Sequence, residues 1–315
     1  MLNKFKYSND NKRYHTFNYY LRNKYKSKVA KIPLDAGFTC PNRDGTKSFY
    51  GCIFCSEQGS GEFTSSIENI EEQFEESKSL VINKWPDAKF IAYFQAYTNT
   101  YGPLEKIKNM VDPFIDNDEV VAISIATRAD CLEDETIEYL NSLTHIKDIW
   151  IELGLQSSND VTAKYINRCH DFNTFKEAVF KLSKTNLKIC VHLINGLPYE
   201  TKDDMINTIK DINTLPIHGV KIHMLSVVKN TLLSKKYEYE KFHLLTLKEY
   251  VDIVVNQLRL LKEEVVIQRL TGDPVKEDLI MPKWLPKKTI VLNEIDKYMA
   301  KNDYYQGDLL KGDLL

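Results

Sequence analysis

Six short apolar runs, each followed by a polar loop and a stretch with helical periodicity, most constrain how this 315-residue chain can fold. The runs are nearly continuous in β-branched and other apolar residues, which is typical of strands that are buried on both faces. They cover 28–35, 90–96, 120–126, 148–155, 187–194 and 219–228. Strands that alternate with amphipathic helices form parallel β/α units.

Six such units predict an α/β fold, a partial (β/α)6 TIM-like barrel that falls short of the eight units of a closed barrel. A doubly wound open sheet is the alternative, but no G-x-G-x-x-G or Walker loop follows the first strand. We expect three parts: a basic aromatic arm over 1–27, the barrel core over 28–232, and a C-terminal extension over 233–315 that packs on the barrel. The extension contains a long amphipathic helix at 246–264.

A loop after the first predicted strand holds three of the six cysteines. Cys40, Cys52 and Cys55 are spaced C-x11-C-x2-C. In a [4Fe–4S] cluster each iron takes one external ligand, usually a thiolate, so three cysteines leave one iron open to a small molecule. A zinc site is the main alternative, but no second C-x2-C or closely spaced His pair completes a tetrahedron. A structural or disulfide role is the remaining alternative.

Composition and terminal sequence limit the compartment. The chain is 43 % hydrophobic and 27 % charged, which is ordinary for a soluble globular protein. It has no run of 18 or more apolar residues, and its basic, polar N-terminus lacks the apolar core of a signal peptide. We therefore expect a cytoplasmic protein with no membrane association, in which clustered thiols bind metal rather than form disulfides.

Positive charge is concentrated at the N-terminus, although the net charge of −2 argues against a uniformly basic nucleic-acid binder. Residues 1–34 carry nine Lys or Arg against one acidic residue, with aromatic residues between them. Such a segment can bind phosphates and stack on bases, and its candidate RNA contacts are Lys24, Lys26 and Lys28, together with Arg43 in the cysteine loop. The alternative is a solvated, partly helical arm whose aromatic residues pack on the main domain.

Polar residues follow every predicted strand at its C-terminal end, where parallel barrels carry their chemistry. Glu152 differs, because it lies inside an apolar strand, where a carboxylate is costly unless it is paired or liganded. We expect it to accept hydrogen bonds from ligand hydroxyls or an ammonium group; a structural ion pair with Arg128 or Arg168 is the alternative. Taken singly, His192 and His223 are expected to be satisfied barrel histidines rather than ligands.

Several sequence motifs in the chain resemble those of the radical S-adenosylmethionine (SAM) enzymes. They are the three cysteines, ELGLQS at 152–157 with NRCHDF at 167–172, and HLINGLPYET at 192–201. The motifs ELGLQS and NRCHDF are also similar to sequence in the catalytic subunit of Elongator. Four further motifs resemble the bacterial YhcC/YtqA-like family of radical SAM proteins, so that the likeness covers nearly the whole chain. They are DAGFTCPNRDGT, YFQAYTNTYGP, VKIHMLSVVKNT and VIQRLTGDP.

This resemblance implies a cofactor pair and a chemistry. Cys40, Cys52 and Cys55 would ligate three irons of a [4Fe–4S] cluster, and the methionyl part of SAM would chelate the fourth. Reduction of the cluster by a donor such as flavodoxin or ferredoxin would cleave SAM into methionine and a 5′-deoxyadenosyl radical, which abstracts a substrate hydrogen. The protein would tune the cluster potential and exclude water.

The resemblance also assigns candidate contacts to SAM. Since QAYTNTY replaces the superfamily's usual Gly-Gly-Glu run after the second strand, Gln95, Tyr97 and Asn99 are the candidates for the methionine end. Glu152 and Gln156 are the candidates for the ribose. The turn at Asn195, Gly196 and Leu197 would supply backbone contact with the adenine, because a glycine allows a close approach.

Elongator-like radical chemistry acts at C5 of the wobble uridine of tRNA, so the resemblance makes tRNA the expected substrate. Two alternatives remain: a radical SAM enzyme that acts on a small metabolite, and a non-enzymatic metal-binding module that recruits RNA or a protein partner.

Overall fold

A computed structural model describes residues 3–59, 61, 64–65, 67–272 and 274–310. The strands are β1 (Val29–Leu34), β2 (Lys89–Phe94), β3 (Val120–Thr127), β4 (Asp148–Gln156), β5 (Lys188–Asn195), β6 (Gly219–Met224), β7 (Val227–Val228), β8 (Val266–Arg269) and β9 (Leu279–Met281). The helices are α1 (Phe17–Tyr25), α2 (Ile70–Ile82), α3 (Leu104–Ile115), α4 (Asp134–Ser142), α5 (Asp160–Tyr165), α6 (Phe172–Leu182), α7 (Lys202–Asn213), α8 (Leu232–Glu240), α9 (Leu247–Leu260) and α10 (Lys288–Lys301).

Seven parallel strands, in the order β1-β2-β3-β4-β5-β6-β8, curl into a half-barrel that alternates with helices. The predicted partial barrel is therefore confirmed, and its six predicted strands form one continuous sheet. The sheet also has a seventh strand that the sequence analysis did not predict. It was missed because β8 contributes only four residues, within a stretch that is otherwise polar.

The predicted sixth strand, at 219–228, was too long. The strand ends at Met224, and Val227–Val228 pairs antiparallel with β9 in a separate two-stranded sheet. The amide of Leu225 donates to the carbonyl of Asn195 at 2.9 Å, after which the chain leaves the barrel. The break places Leu225 and Ser226 at the wall of a cavity at the carboxyl ends of the strands.

The division of the chain into three parts stays a prediction. β8 lies within the segment 233–315 and yet pairs in parallel with β6, so this segment supplies part of the main sheet as well as α9 and α10. The predicted long helix corresponds to α9, which begins after the Thr246 capping box and ends at Leu260. Apolar residues on the outer face of the strands pack against these helices in one large core.

The concave face of the sheet has an apolar floor at the amino ends of the strands. Trp150, near the start of β4, is 1 % exposed and packs with Val29, Ile91 and Cys190 of neighbouring strands. Helix α1 closes this end. Its Phe17 and Tyr20 rings each meet Trp150 edge-to-face at 5.8 Å, and its Leu21 is buried in the same cluster.

The N-terminal arm is bound to the rest of the chain rather than free. Thr16 forms a parallel bridge with Ile267 of β8, and the backbone of Arg13 accepts a hydrogen bond from the amide of Gln306. Phe5 and Tyr14 are buried. Four arm cations form ion pairs with carboxylates of the chain: Lys6 with Glu263, Lys12 with Asp296, Arg13 with Asp303, and Lys24 with Asp148. The arm thus has aromatic residues that pack on the rest of the chain, as expected if it is a structural arm rather than an RNA-binding segment.

No helix within the described residues is both long and apolar enough to cross a membrane.

Replacing Leu21 with Ala tests whether α1 is part of the barrel's cooperative unit. The change removes a side chain that is 5 % exposed from the floor cluster, so we expect the free energy of unfolding to fall by about 3 kcal/mol. Leu80→Ala on α2 is the matched control: this leucine is 72 % exposed, and its removal is expected to cost within about 0.5 kcal/mol. Urea unfolding followed by circular dichroism measures both, and equal midpoints for the two variants would contradict the role of α1.

Candidate active site

A cavity of about 420 Å³, which we call the main cavity, lies at the carboxyl ends of the strands. The loop from Cys40 to Cys55, which we call the cysteine loop, forms one wall, and its three cysteines all line the cavity. Strands β2 to β6 and β8 contribute the remaining walls. A cavity of this size is typical of a small-molecule or cofactor site.

Two asparagines hold the cysteine loop in place. The Asn42 side chain is fully buried, and its amide nitrogen donates to the carbonyls of Asn167 and Arg168 at 2.7 and 3.3 Å. In return, the amide nitrogen of Asn167 donates to the carbonyl of Gly51 at 2.7 Å. Asn42 also lies 3.6 Å from the sulfur of Cys52. The NRCH segment that follows α5 therefore fixes the loop at the barrel mouth.

Three arginines surround the thiols. Burial raises the pKa of Cys52, and Arg168 and Arg128 oppose this rise by favouring the thiolate. Burial likewise raises the pKa of Cys55 to about 12, and Arg43 opposes it. Burial also lowers the pKa of Arg168 to about 10. Guanidinium groups held this close supply the positive charge that deprotonated sulfur needs in a buried site.

The residues of the cysteine loop fit a cluster. In the described part of the chain, no three His, Cys, Asp or Glu side chains stand close enough together to hold one metal ion. Three thiolates around a cubane bind three different irons, one each. Two buried polar atoms beside the loop, Asn42 Oδ1 and Arg168 Nε, have no hydrogen-bond partner among the described residues. Free thiols, compensating cations and unused polar atoms together fit a cluster bound at this wall.

Glu152 is the centre of a buried network in the half-barrel. One carboxylate oxygen accepts from Lys31 Nζ and Ser124 Oγ, both at 2.5 Å. The other accepts from His192 Nε2 at 2.8 Å and from Lys221 Nζ. The alternative prediction, an ion pair of Glu152 with Arg128 or Arg168, is wrong. Arg128 instead donates two hydrogen bonds, both at 2.9 Å, to the carboxylate of Asp130.

The charge state of this network follows from its contacts. Burial tends to raise the pKa of Glu152, but Lys221 and Lys31 outweigh it and hold the pKa well below its usual range. Burial lowers the pKa of His192 to about 4, and Lys221 lowers it further. Burial, with the charge of Arg269, also holds the pKa of His223 well below its usual value. Both histidines are therefore neutral at physiological pH.

Four of the predicted SAM contacts lie in the main cavity: Gln95, Tyr97, Glu152 and Gln156. Tyr97 has a φ of 58°, and its amide donates to the carbonyl of Gly59 at 2.9 Å, so it ties β2 to the segment that follows the cysteine loop. Gln156 has a φ of 71° at a bulge in β4, and its side chain folds over Gly154, where a Cβ would meet it at 2.9 Å. Both carboxylate oxygens of Glu152 already accept two donors each.

The structure places the other four outside the lining of the main cavity. Asn99 is fully buried and donates to the carbonyls of Phe94, Ala96 and Ala126, which joins the ends of β2 and β3. Asn195 forms a reciprocal amide pair with Gln257 of α9, at 2.8 Å in each direction. The amide of Gly196 donates to Met205 Sδ at 3.2 Å, and Leu197 is buried in a separate apolar cluster. Their roles as SAM contacts stay predictions.

The predicted RNA contacts separate into two groups. Arg43 lines the main cavity, where its guanidinium donates to the carbonyls of Cys55 and Ser56 and lies 5.7 Å from the Tyr97 ring centre. Lys24, Lys26 and Lys28 lie at the other end of the barrel. Lys24 forms an ion pair with Asp148, the first residue of β4. Lys28 directly precedes β1, and its Nζ lies 4.9 Å from the Trp85 ring centre.

Lys31 and Lys221 are cavity residues that sequence reasoning missed, although a signal was available for both. Lys31 and Lys221 are charged residues inside apolar strands, the same feature that identified Glu152 as unusual. A lysine at such a position needs a carboxylate within reach, and Glu152 is the one that both of them share.

Replacing Cys55 with Ala tests the cluster. We expect anaerobic reconstitution to yield about four irons per chain in the wild type and to yield much less iron in the variant, because one iron has no thiolate. Cys131→Ala is the matched control, since Cys131 is buried outside the main cavity and is expected to leave the iron content unchanged. An iron assay and the visible absorption of the cluster measure both; equal iron in all three proteins would remove the cysteine loop as the site.

Replacing Asn42 with Ala tests how the cysteine loop is held. The change leaves two backbone carbonyls without their donor, and each hydrogen bond removed in this way costs about 1–3 kcal/mol. We expect a chelator to extract iron about tenfold faster or more, while the reconstituted iron content at the start stays near that of the wild type. Asn173→Ala, at an exposed position on α6, is the control. An extraction rate equal to that of the control would show that the loop does not depend on Asn42.

Two family models match the chain. The Radical SAM superfamily matches residues 40–212, and the Radical SAM C-terminal domain matches residues 217–301. The first begins at Cys40, and it ends within α7. The second covers β6 to α10, and so includes the seventh strand of the half-barrel.

Curated relatives cover most of the chain. The chain is 45 % identical to the uncharacterized protein YtqA of Bacillus subtilis, over 97 % of this chain and 95 % of that protein. It is 30 % identical to YhcC of Escherichia coli K12, over 90 % and 91 %. A tRNA uridine(34) acetyltransferase of Methanocaldococcus infernus is 26 % identical over 49 % of this chain and 29 % of that protein.

A solved structure shares the architecture. An archaeal Elp3 from Methanocaldococcus infernus, with an N-terminal deletion, superposes with a TM-score of 0.67 at 18 % identity. The match covers 89 % of this chain and 64 % of that chain, so this chain spans less than two thirds of the Elp3 structure. With cysteines on one wall of a half-barrel mouth and family models over nearly its whole length, the chain belongs to the radical SAM superfamily, whose members bind a [4Fe–4S] cluster and SAM.

Proposed function

We propose that this radical SAM protein modifies the C5 side chain of the wobble uridine of tRNA. The observation that carries the proposal is the likeness, over about half of the chain, to a protein named as a tRNA uridine(34) acetyltransferase. Reductive cleavage of SAM to a 5′-deoxyadenosyl radical is the chemistry that the cluster supplies when bound. The chain's own residues bind SAM, orient it and exclude water.

In this proposal Cys40, Cys52 and Cys55 ligate the cluster, and the polar residues at the ends of β2 and β4 hold SAM. Gln95 and Tyr97 face the methionine end, since they line the main cavity together with the cysteine loop. Gln156 faces the ribose. Glu152 acts indirectly, because its hydrogen bonds fix Lys31, Lys221 and His192 beneath the ligand. An electron donor such as flavodoxin or ferredoxin completes the cycle.

The volume of the main cavity limits how a tRNA can react. A cavity of about 420 Å³ has the size of a small-molecule site and does not admit a base-paired stem, so in this proposal the target base leaves its stack and enters the half-barrel alone. In this proposal Arg43, which lines the main cavity, contacts such a base. Lys24, Lys26 and Lys28 lie a strand length away, about 20 Å for six residues, so they would contact a different part of the same RNA.

Comparison of tRNA nucleosides tests the proposal in cells. In a strain that lacks this gene, we expect mass spectrometry to show one wobble-uridine derivative missing and its precursor accumulated. Wild-type protein is expected to restore the profile, and Cys55→Ala is not. In vitro, tRNA from the deletion strain should stimulate formation of 5′-deoxyadenosine by the reduced protein, whereas tRNA from the wild-type strain should not. An unchanged nucleoside profile would contradict the proposal.

Charge reversal of Lys26 and Lys28 tests the distal RNA contacts. We expect the Lys26→Glu, Lys28→Glu double variant to bind tRNA more weakly. The plot of log affinity against log salt concentration should become shallower by about 2, one for each phosphate that a lysine no longer neutralises. Lys184→Glu with Lys210→Glu, two exposed lysines near the ends of α6 and α7, is the matched control for charge. Equal slopes for the two double variants would remove Lys26 and Lys28 from the interface.

A radical SAM enzyme of a small metabolite is the second candidate, and one observation favours it. Four cations of the N-terminal arm are paired with carboxylates of the same chain, which reduces their attraction for phosphate. In that case SAM cleavage would not respond to any tRNA. A protein that binds its cluster but never cleaves SAM would instead favour the recruitment module.

A further inference from the structure

His223 lines the main cavity near the carboxyl end of β6, one residue before the strand ends at Met224. Its side chain is partly buried, and its ring centre lies 5.6 Å from that of His192. No residue in the described part of the chain forms a hydrogen bond or an ion pair with the His223 imidazole. A polar ring at a cavity wall without such a partner is available to a ligand.

His223 lies one level nearer to the barrel mouth than the network of Glu152. It follows Lys221 by two residues on β6 and, since side chains alternate along a strand, it is on the same face of the sheet. Lys221 Nζ donates to one oxygen of Glu152, and His192 Nε2 lies 2.8 Å from the same oxygen. These two neighbours are held by the carboxylate, whereas His223 lies beyond it.

The neutral ring of His223 supplies a hydrogen-bond acceptor. Burial and the charge of Arg269 hold the pKa of His223 well below its usual value, and His192 and Lys221 lower it further. A neutral imidazole has one N–H donor and one nitrogen with a lone pair, whereas lysine and arginine side chains only donate. Both oxygens of Glu152 already accept two donors each. An N–H or O–H group of a ligand can therefore bond to the imidazole of His223 where it cannot bond to Glu152.

Apolar side chains flank this acceptor. Ile194 of β5 is paired in register with His223 and lines the main cavity, as does Leu225 just after β6. Apolar walls with a few placed polar groups are typical of sites that bind small organic ligands. The residues proposed to hold SAM in the main cavity come from the ends of β2 and β4, so the end of β6 is left for the substrate.

We propose that His223 is a substrate-binding residue, whose imidazole accepts a hydrogen bond from the ring N–H of the base that enters the main cavity. The inference rests on the proposed function, in which that base is a uracil. With the ribose on N1, a uracil ring has one N–H group, at N3 on its Watson–Crick edge.

This contact would select the base as well as bind it. Enzymes that act on a flipped base read its Watson–Crick edge by hydrogen bonds. Cytosine has a lone pair at N3 instead of a proton, so it cannot donate to the acceptor nitrogen of His223. A hydrogen bond at N3 would also fix the orientation of the ring, and with it the position of the C5 side chain that loses hydrogen.

Binding of anticodon stem-loop RNA to the cluster-reconstituted full chain, with SAM present, tests the contact. Two RNAs are compared that differ only at the wobble position, which is uridine in one and N3-methyluridine in the other. We expect the wild type to bind the uridine RNA about fivefold more tightly or better, because the methyl group removes the N–H and leaves the imidazole unmatched. His223→Ala is expected to reduce this preference to less than about twofold, as measured by fluorescence polarisation.

Two further variants serve as controls. His145→Ala removes an exposed histidine that follows α4 and is absent from the lining of the main cavity, so it should keep the full preference. His223→Asn places an acceptor oxygen near the position of the ring nitrogen and should keep part of the preference. Iron content, and formation of 5′-deoxyadenosine by the reduced protein without RNA, are expected to match the wild type in all three variants.

Three results would overturn the role of His223. The wild type could show no preference between the two RNAs or bind neither, or His223→Ala could keep the preference of the wild type. Loss of iron or of RNA-free SAM cleavage in His223→Ala would assign the ring to the cofactors instead. The nucleoside profile in cells tests the tRNA function separately. A changed profile without a preference for N3–H overturns the role of His223 alone, whereas an unchanged profile contradicts the function itself.

Discussion

The buried carboxylate of Glu152 is the interaction on which the half-barrel depends. It joins residues of β1, β3, β5 and β6 to β4 through four donors, so five of the seven strands meet at one side chain. Taking a carboxylate and two ammonium groups out of water is expensive, and the geometry must satisfy every lone pair to offset that cost. Removing one partner of such a network typically costs about 3–5 kcal/mol, because it leaves an uncompensated charge. The network therefore holds the concave face in one shape.

This polar layer also separates two different environments along the barrel axis. Beneath it, Trp150 and the rings of α1 form an apolar floor that excludes water. Above it, the cysteine loop and the guanidinium groups of Arg128 and Arg168 form a mouth that suits negative sulfur. The half-barrel thus presents a fixed, positively charged base to whatever enters the main cavity, and this fixed charge requires no rearrangement when a ligand binds.

The sequence predicted the parts of this arrangement that local patterns encode. Apolar strands alternate with amphipathic helices at regular intervals, and this predicted the six strands of the half-barrel and the position of the cysteine loop. It did not predict β8, because four residues in a polar segment carry too little periodicity. It also did not predict the partners of Glu152. Lys31 lies 121 residues before it and Lys221 lies 69 residues after it, and only the curl of the sheet brings the three together, which no local pattern records.

The turn after β5 shows a different limit. Asn195, Gly196 and Leu197 form a polar and glycine-containing turn at a strand end, the pattern expected of a ligand contact, yet Asn195 pairs with Gln257 of α9 and Leu197 packs in an apolar cluster. A strand end carries both the residues that meet a ligand and those that join the next helix, and the two kinds have the same composition. The sequence therefore could not show that the side chain of Asn195 joins α9, while contact between the backbone of this turn and the adenine stays a prediction.

An open edge is what distinguishes seven strands from a closed barrel, and the chain covers that edge unevenly. The arm bridges β8 at Thr16, and α1 closes the floor, but between β1 and β8 a second cavity of about 270 Å³ remains. A closed barrel would pair these two strands and leave no lateral path to its interior. The unpaired edge therefore leaves a lateral opening, whose lining shares Tyr93, Gln95, Lys221 and Arg269 with the main cavity.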